Sequence, residues 1–153
     1  MPDFYRIQPL ADSVIIRALV GGTLMNREIL FRAKQVCGDE WIEGYYLNCY
    51  YPGNSTDQTG NFIVEYPGKY HEIYLETLCQ YVGLIDKNGK KIFEGDIVKS
   101  DLGKVGKIAY NETHLSYLIL ENTEMKYYYI QECDSGHIEV IGNIFDNPDL
   151  IKD

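Results

Sequence analysis

The chain has 153 residues and a formal net charge of −9. That size lets one domain, or two small units sharing a core, bury enough surface to fold without a disulfide or a metal. The acidic balance opposes loose, charge-driven binding to nucleic acid or anionic lipid. No apolar run reaches membrane-spanning length, because "SVIIRALVGG" is short and contains Arg17, so no membrane partner is expected.

Residues 1–24 read differently from the rest. "LADSVIIRALV" has the stripe Leu10, Val14 and Leu19 behind a cap at Asp12 or Ser13, the pattern of a short helix. Met25 follows two glycines at a spacing that suits a translated ribosome-binding site. Residues 1–24 are therefore expected to be an upstream extension, with an ordinary terminal helix as the alternative.

From Met25 onward the pattern is β. In "EILFRAK", Ile29, Phe31 and Ala33 alternate with Glu28, Arg32 and Lys34, which predicts a half-buried strand broken only by Leu30. After a turn at Gly38-Asp39 comes the aromatic strand "WIEGYYLNCYY", interrupted at Gly44. "PGNSTDQTGN" is a polar loop, "FIVEY" a strand, and Pro67-Gly68 a turn into "KYHEIYLETLCQYVGLI", whose alternation again suggests strand. Asn88-Gly89 between "YVGLI" and "KKIF" is a strong hairpin signal, and a type I′ turn would suit both residues. Gly95-Asp96 predicts a second tight turn into "DIVKS". The strands "KVGKIAY", "LSYLILE", "KYYYIQE" and "HIEVIGNIF" follow, with Ile138, Val140, Gly142 and Ile144 expected on one face. In the tail, Asn147 caps a helical turn that Pro148 opens. The fourteen tyrosines agree with a sheet protein, since a ring packs well on a half-buried pleated surface while its hydroxyl stays wet.

Short strands at regular spacing predict a mainly β protein. Residues 25–80 form a hairpin-rich layer on a small barrel over residues 81–153 that ends in the helical turn. Ile29, Phe31, Trp41, Val82, Ile97, Val98, Ile108, Leu118, Val140 and Ile144 are the expected core.

"MNREILFRAK", a Trp-Ile-x-Gly at Trp41, "YVGLIDKNGKKIFEGDIVK" and "IEVIGNIFDNPDLI" together resemble the YopX family of phage and prophage proteins, over about residues 25–151. The run from Gly83 to Val98 is the most specific part. The resemblance implies a β-rich fold whose C-terminal part is similar to an SH3-type barrel, and expression in the bacterial host cytoplasm. It brings no established activity and no catalytic residues.

Each candidate site has a plain structural alternative. Between Gly83 and Lys107, six lysines face four carboxylates. Lys87, Lys90, Lys91, Lys104 and Lys107 could line a basic rim that grips nucleic acid. Lysines beside a turn also guard a strand edge while staying solvated, so nucleic acid is the lesser expectation. Asp86, Glu94 and Asp96 could converge as catalytic carboxylates. In a turn, Asp96 instead accepts a backbone N–H and Glu94 pairs with a lysine, so Asn88, Gly89, Gly95 and Asp96 are taken as structural. Cys37, Cys49, Cys79 and Cys133 carry no C-x-x-C pair and are expected as buried free thiols, and His71, His114 and His137 lack ligand spacing. Neither "GGT" nor "GKVGK" makes a P-loop, and no nucleophile elbow is present, so neither a cofactor nor an enzyme is expected. In "KYYYIQE", Tyr127 and Tyr129 lie opposite Tyr128 and Ile130. If Tyr128 and Ile130 point inward, Tyr127 and Tyr129 form a protein interface, unless the first layer covers them. The expected partner is a second copy, or a host or phage protein.

Overall fold

A computed structural model describes residues 28–51, 58–121, 126–130 and 135–151. The expected extension, residues 1–24, lies outside them, as does most of the polar loop at 52–57. The described chain is mainly β, with eleven strands in two antiparallel sheets and three short 3-10 turns.

The first sheet is built from β1 (Phe31–Lys34), β2 (Trp41–Tyr50), β3 (Thr59–Glu65), β4 (Lys69–Glu72), β5 (Cys79–Ile85) and β6 (Lys91–Phe93), in the order β4-β3-β2-β1-β5-β6. It curls back on itself. Val36 donates to the Glu72 carbonyl at 2.8 Å and Tyr74 to the Lys34 carbonyl at 2.9 Å, so the end of β1 meets the continuation of β4. The strands wrap around Ala33, Ile42, Ile63 and Ile73. The expected long strand after Pro67 is broken by a 3-10 turn at Leu75–Thr77. Gly44 does not interrupt β2. A Cβ there would stand 2.5 Å from the Val64 carbonyl oxygen, so glycine permits the close approach of β3 to an unbroken β2.

The second sheet holds β7 (Asp96–Ser100), β8 (Val105–Asn111), β9 (Ser116–Glu121), β10 (Tyr127–Tyr129) and β11 (Ile138–Asn143), in the order β10-β9-β8-β7-β11. This order is open, and no strand pairing among the described residues joins β10 to β11 as a closed SH3-like barrel would require. The core is covered instead by the β5–β6 hairpin, whose Val82 and Ile92 pack onto Val98, Ile108, Ile119, Ile138 and Val140. Each fully buried aliphatic side chain here contributes about 1.5–3 kcal/mol. β5 thus belongs to the first sheet by pairing and to the second core by packing, and the 80/81 division falls inside it.

Most expected core residues are buried: Val82, Ile97, Val98, Ile108, Leu118 and Val140. Phe31, Trp41 and Ile144 are half-buried. Ile29 is a correction: it is 50% exposed while Leu30 is buried, so the residue that breaks the alternation is the one that packs. A second correction concerns β11. A bulge between Val140 and Gly142 leaves Val140 opposite Val98 but Gly142 opposite Ile97, and so puts the two on opposite faces. The tail forms the expected turn, Pro148–Ile151, which packs against β8.

Candidate functional site

The run from Gly83 to Val98 is a turn held by buried charge. β5 and β6 pair antiparallel, Ile85 opposite Lys91, with the chain reversing through Lys87-Asn88-Gly89. Gly89 donates to the Asp86 carbonyl at 2.9 Å, Asp86 donates to the Lys90 carbonyl at 2.8 Å, and Gly89 has φ +80°. Asn88 has no positive φ, so the loop is a three-residue turn closed by a left-handed glycine and not the type I′ form. Asp86 is 4% exposed. Its Oδ1 accepts from the N–H groups of Asn88 (2.8 Å) and Lys90 (2.9 Å), and its Oδ2 from that of Val140 (2.9 Å). Burial raises its pKa, but the three N–H donors outweigh it and hold the carboxyl below the usual range. Lys87 donates its own N–H to the Ile138 carbonyl at 3.0 Å. The loop is thereby docked on the outer edge of β11.

Gly95, with φ +77°, turns the chain into β7 as expected. Asp96 fixes that turn through Oδ2, which accepts from the Phe93 N–H at 2.8 Å. Its Oδ1 accepts from Arg32 Nη2 on β1, which the sequence pattern had placed on the polar side. The guanidinium lies between two rings, 4.9 Å from Trp41 and 4.7 Å from Phe93. Burial pushes the Asp96 carboxyl up, against the pull of Arg32 and the Phe93 amide. Beside it, burial pushes the Cys79 thiol up to about 11, which makes it inert as a nucleophile. Cys37, expected to be buried, is exposed, and Cys133 lies outside the described residues. Asp86, Glu94 and Asp96 do not assemble a metal centre: no group of three metal-ligating side chains occurs among the described residues. The ion pairs found there likewise give Glu94 no lysine partner.

A second link joins the sheets at the surface. Asp146 accepts from the Trp41 indole N–H at 2.6 Å and from Asn143 Nδ2 at 3.0 Å, and pairs with Lys34 at 2.7 Å. Asn143, Lys34 and Trp41 together hold its carboxyl at about 2, below the ordinary 3.8. A depressed carboxylate stabilises the fold above its unfolded value and loses that contribution as pH falls through its folded value. The fluorescence of Trp41, the single tryptophan, is therefore expected to shift in a step that begins below about pH 4 and is centred near pH 2, and Asp146→Asn to abolish that step. An unchanged step in the variant would assign it elsewhere.

The lysines are not gathered into one patch. Lys87 bridges Asp101 and Glu139, each at 3.1 Å. Lys91 approaches Glu28 (3.8 Å) and Glu43 (3.6 Å). Lys104 pairs with Glu121 at 3.4 Å and donates to the Tyr128 hydroxyl at 3.0 Å. Lys90 is exposed, and Lys107 is half-buried opposite Leu120. Three of the five charges are thus partly cancelled where a phosphate would approach.

The tyrosines make a clearer surface. Tyr128 stands opposite Ile119, itself opposite Ile108, in the row that faces the second core, and Ile130 is 3% exposed. Tyr127 and Tyr129 take the other face, with Tyr127 50% exposed and Tyr129 half-buried. Their rings meet edge to face at 5.9 Å, and His114 stacks on Tyr127 at 6.4 Å and meets Tyr129 edge-on at 5.8 Å. His114 has no ligand spacing in the sequence, and only the β8–β9–β10 pairing brings it here. Around the strand on the core side lies an apolar hollow of about 250 Å³, lined by Val98, Leu102, Val105, Ile119, Tyr128 and Ile138. It suits one apolar side chain better than a whole small-molecule ligand.

The family model described as YopX protein matches residues 28–152. Among solved structures, the chain is similar to protein EF1440 from Enterococcus faecalis at 24% identity, with 82% of this chain and 99% of that chain covered and a TM-score of 0.47. No curated protein matches the chain.

Proposed function

The chain belongs to the YopX family, and from that premise we propose that it is a phage- or prophage-encoded accessory protein that works without catalysis, by binding protein in the bacterial host cytoplasm. The observation that carries this reading is the aromatic cluster of Tyr127, Tyr129 and His114 on an outer sheet face. Rigid rings bury large area at low entropy cost, which is why they dominate protein interfaces. The apolar hollow beside Tyr128 could take an anchoring side chain of the partner. No helix of the described chain is long and apolar enough to cross a membrane.

The test is an affinity pull-down from host cells, with and without nuclease, comparing the natural chain with Tyr127→Ala/Tyr129→Ala. A bound protein that survives nuclease and is lost with the double variant supports the reading. Recovery that depends on nucleic acid would move the function to the lysine rim. It should then weaken steeply with salt and with Lys90→Glu/Lys91→Glu.

A further inference from the structure

We propose that β10 is the seam of a two-fold dimer, in which two copies pair β10 against β10 in antiparallel register centred on Tyr128. This deepens the protein-binding reading and rests on it, and it commits that surface to a second copy of the chain.

The edges of the two sheets carry the argument. β4 and β6 bound the first sheet, and β10 and β11 the second. Natural edges are blunted by charge or by cover. β4 carries Lys69 and Glu72, and its Glu72 carbonyl is already occupied by the Val36 N–H. β6 begins with Lys91. β11 carries Glu139, and its outward groups are taken by the hairpin loop, through the Lys87 N–H and the Asp86 carboxylate. β10 is three tyrosines, with no charge and no proline.

The backbone parity of β10 is fixed by its pairing. Glu121 donates to the Lys126 carbonyl at 2.9 Å and Ile130 to the Tyr117 carbonyl at 3.2 Å. Residues 126, 128 and 130 therefore face β9, and the N–H and C=O groups of Tyr127 and Tyr129 point outward. Among the described residues no backbone bond uses them. Outward groups pair only with outward groups. An antiparallel register centred on Tyr128 puts Tyr127 opposite Tyr129 of the partner subunit, and Tyr129 opposite Tyr127 of the partner subunit, which gives four main-chain hydrogen bonds. The same register extends the Tyr127–Tyr129 ring contact across the seam, on one face. The three paired residues of the strand carry no charge that would oppose its like in a second copy.

The test is sedimentation over a range of concentrations. The natural chain is expected to dimerise, and a chain that stays monomeric up to millimolar concentration overturns the proposal. In that event, a pull-down still lost with Tyr127→Ala/Tyr129→Ala leaves the protein-binding reading standing on a foreign partner. Of the backbone groups, Tyr127→Pro removes only an outward donor, so the monomer should keep its circular dichroism while dimerisation weakens roughly 30-fold or more, one lost bond per copy beyond the loss of the ring, which Tyr127→Ala shares. Tyr127→Ala keeps that donor and should weaken the dimer less. Equal losses would place the contact on the ring face and overturn the register. Tyr128→Cys, made on a Cys37→Ser background, gives an independent readout. The two-fold brings position 128 opposite itself at about 4.5 Å between Cα atoms, within disulfide reach. Oxidation should trap a covalent dimer there and not with Tyr127→Cys, and the reverse pattern overturns the register.

Discussion

Arg32→Ala is expected to lower the free energy of unfolding by about 3–5 kcal/mol in urea melts, and the melting temperature by roughly 10 °C or more. The reason is the carboxylate it would abandon. The Asp96 side chain is 1% exposed, and without the guanidinium only the Phe93 N–H would hold it. The stacking of the guanidinium between Trp41 and Phe93 would go as well. Arg32→Lys should rescue little, because an ammonium cannot lie flat between two rings while reaching the same oxygen. Asp96→Ala should be as damaging, since it strands a buried cation whose Nε already lacks a partner. The double change Arg32→Met/Asp96→Asn removes both charges and keeps an acceptor for Phe93. It is expected to recover most of the loss, and a double-mutant cycle measures the coupling. If Arg32→Ala costs less than about 1 kcal/mol, the pair is not the joint between β1 and β7.

What the sequence made legible was local. The reversals at Asn88-Gly89 and Gly95-Asp96 need a left-handed residue at a fixed place, and glycine supplies it whatever packs around it. The inward side of β10 followed from one apolar residue, Ile130, and a period of two. What stayed hidden depends on partners far along the chain. Arg32 alternates like a surface residue, and only Asp96, 64 positions away, makes it a buried one. Trp41 looked like core, but its indole reaches Asp146 at a separation of 105, which keeps it at the rim. The bulge in β11 leaves no periodic signature, so Gly142 was assigned to the wrong face. His114 carries no spacing signal at all, because its aromatic neighbours come from the next strand. The period-two pattern and the family resemblance agree on the β class, but neither locates an interface, which depends on which sheet edge the fold leaves uncovered.

Asp86→Asn is expected to damage the hairpin nearly as much as Asp86→Ala. Asp86→Ala would leave the Val140 N–H, buried against β5, without an acceptor, and would release the Asn88 and Lys90 N–H groups at the surface. Water can replace the last two, so most of the effect should come from Val140, about 2–4 kcal/mol given that the acceptor is charged. Asparagine keeps one oxygen, and the two loop N–H groups claim it. Its Nδ2 then faces the Val140 N–H, donor against donor, so an almost isosteric change should cost nearly as much as alanine. Hydrogen exchange separates the possibilities. In both variants the Val140 amide should exchange faster by more than the global loss of stability explains, because the loop no longer covers the edge of β11. If Asp86→Asn leaves that amide protected, the carboxylate is not what docks the hairpin, and its seat on the second core rests on the packing of Val82 and Ile92 and on the Lys87 N–H.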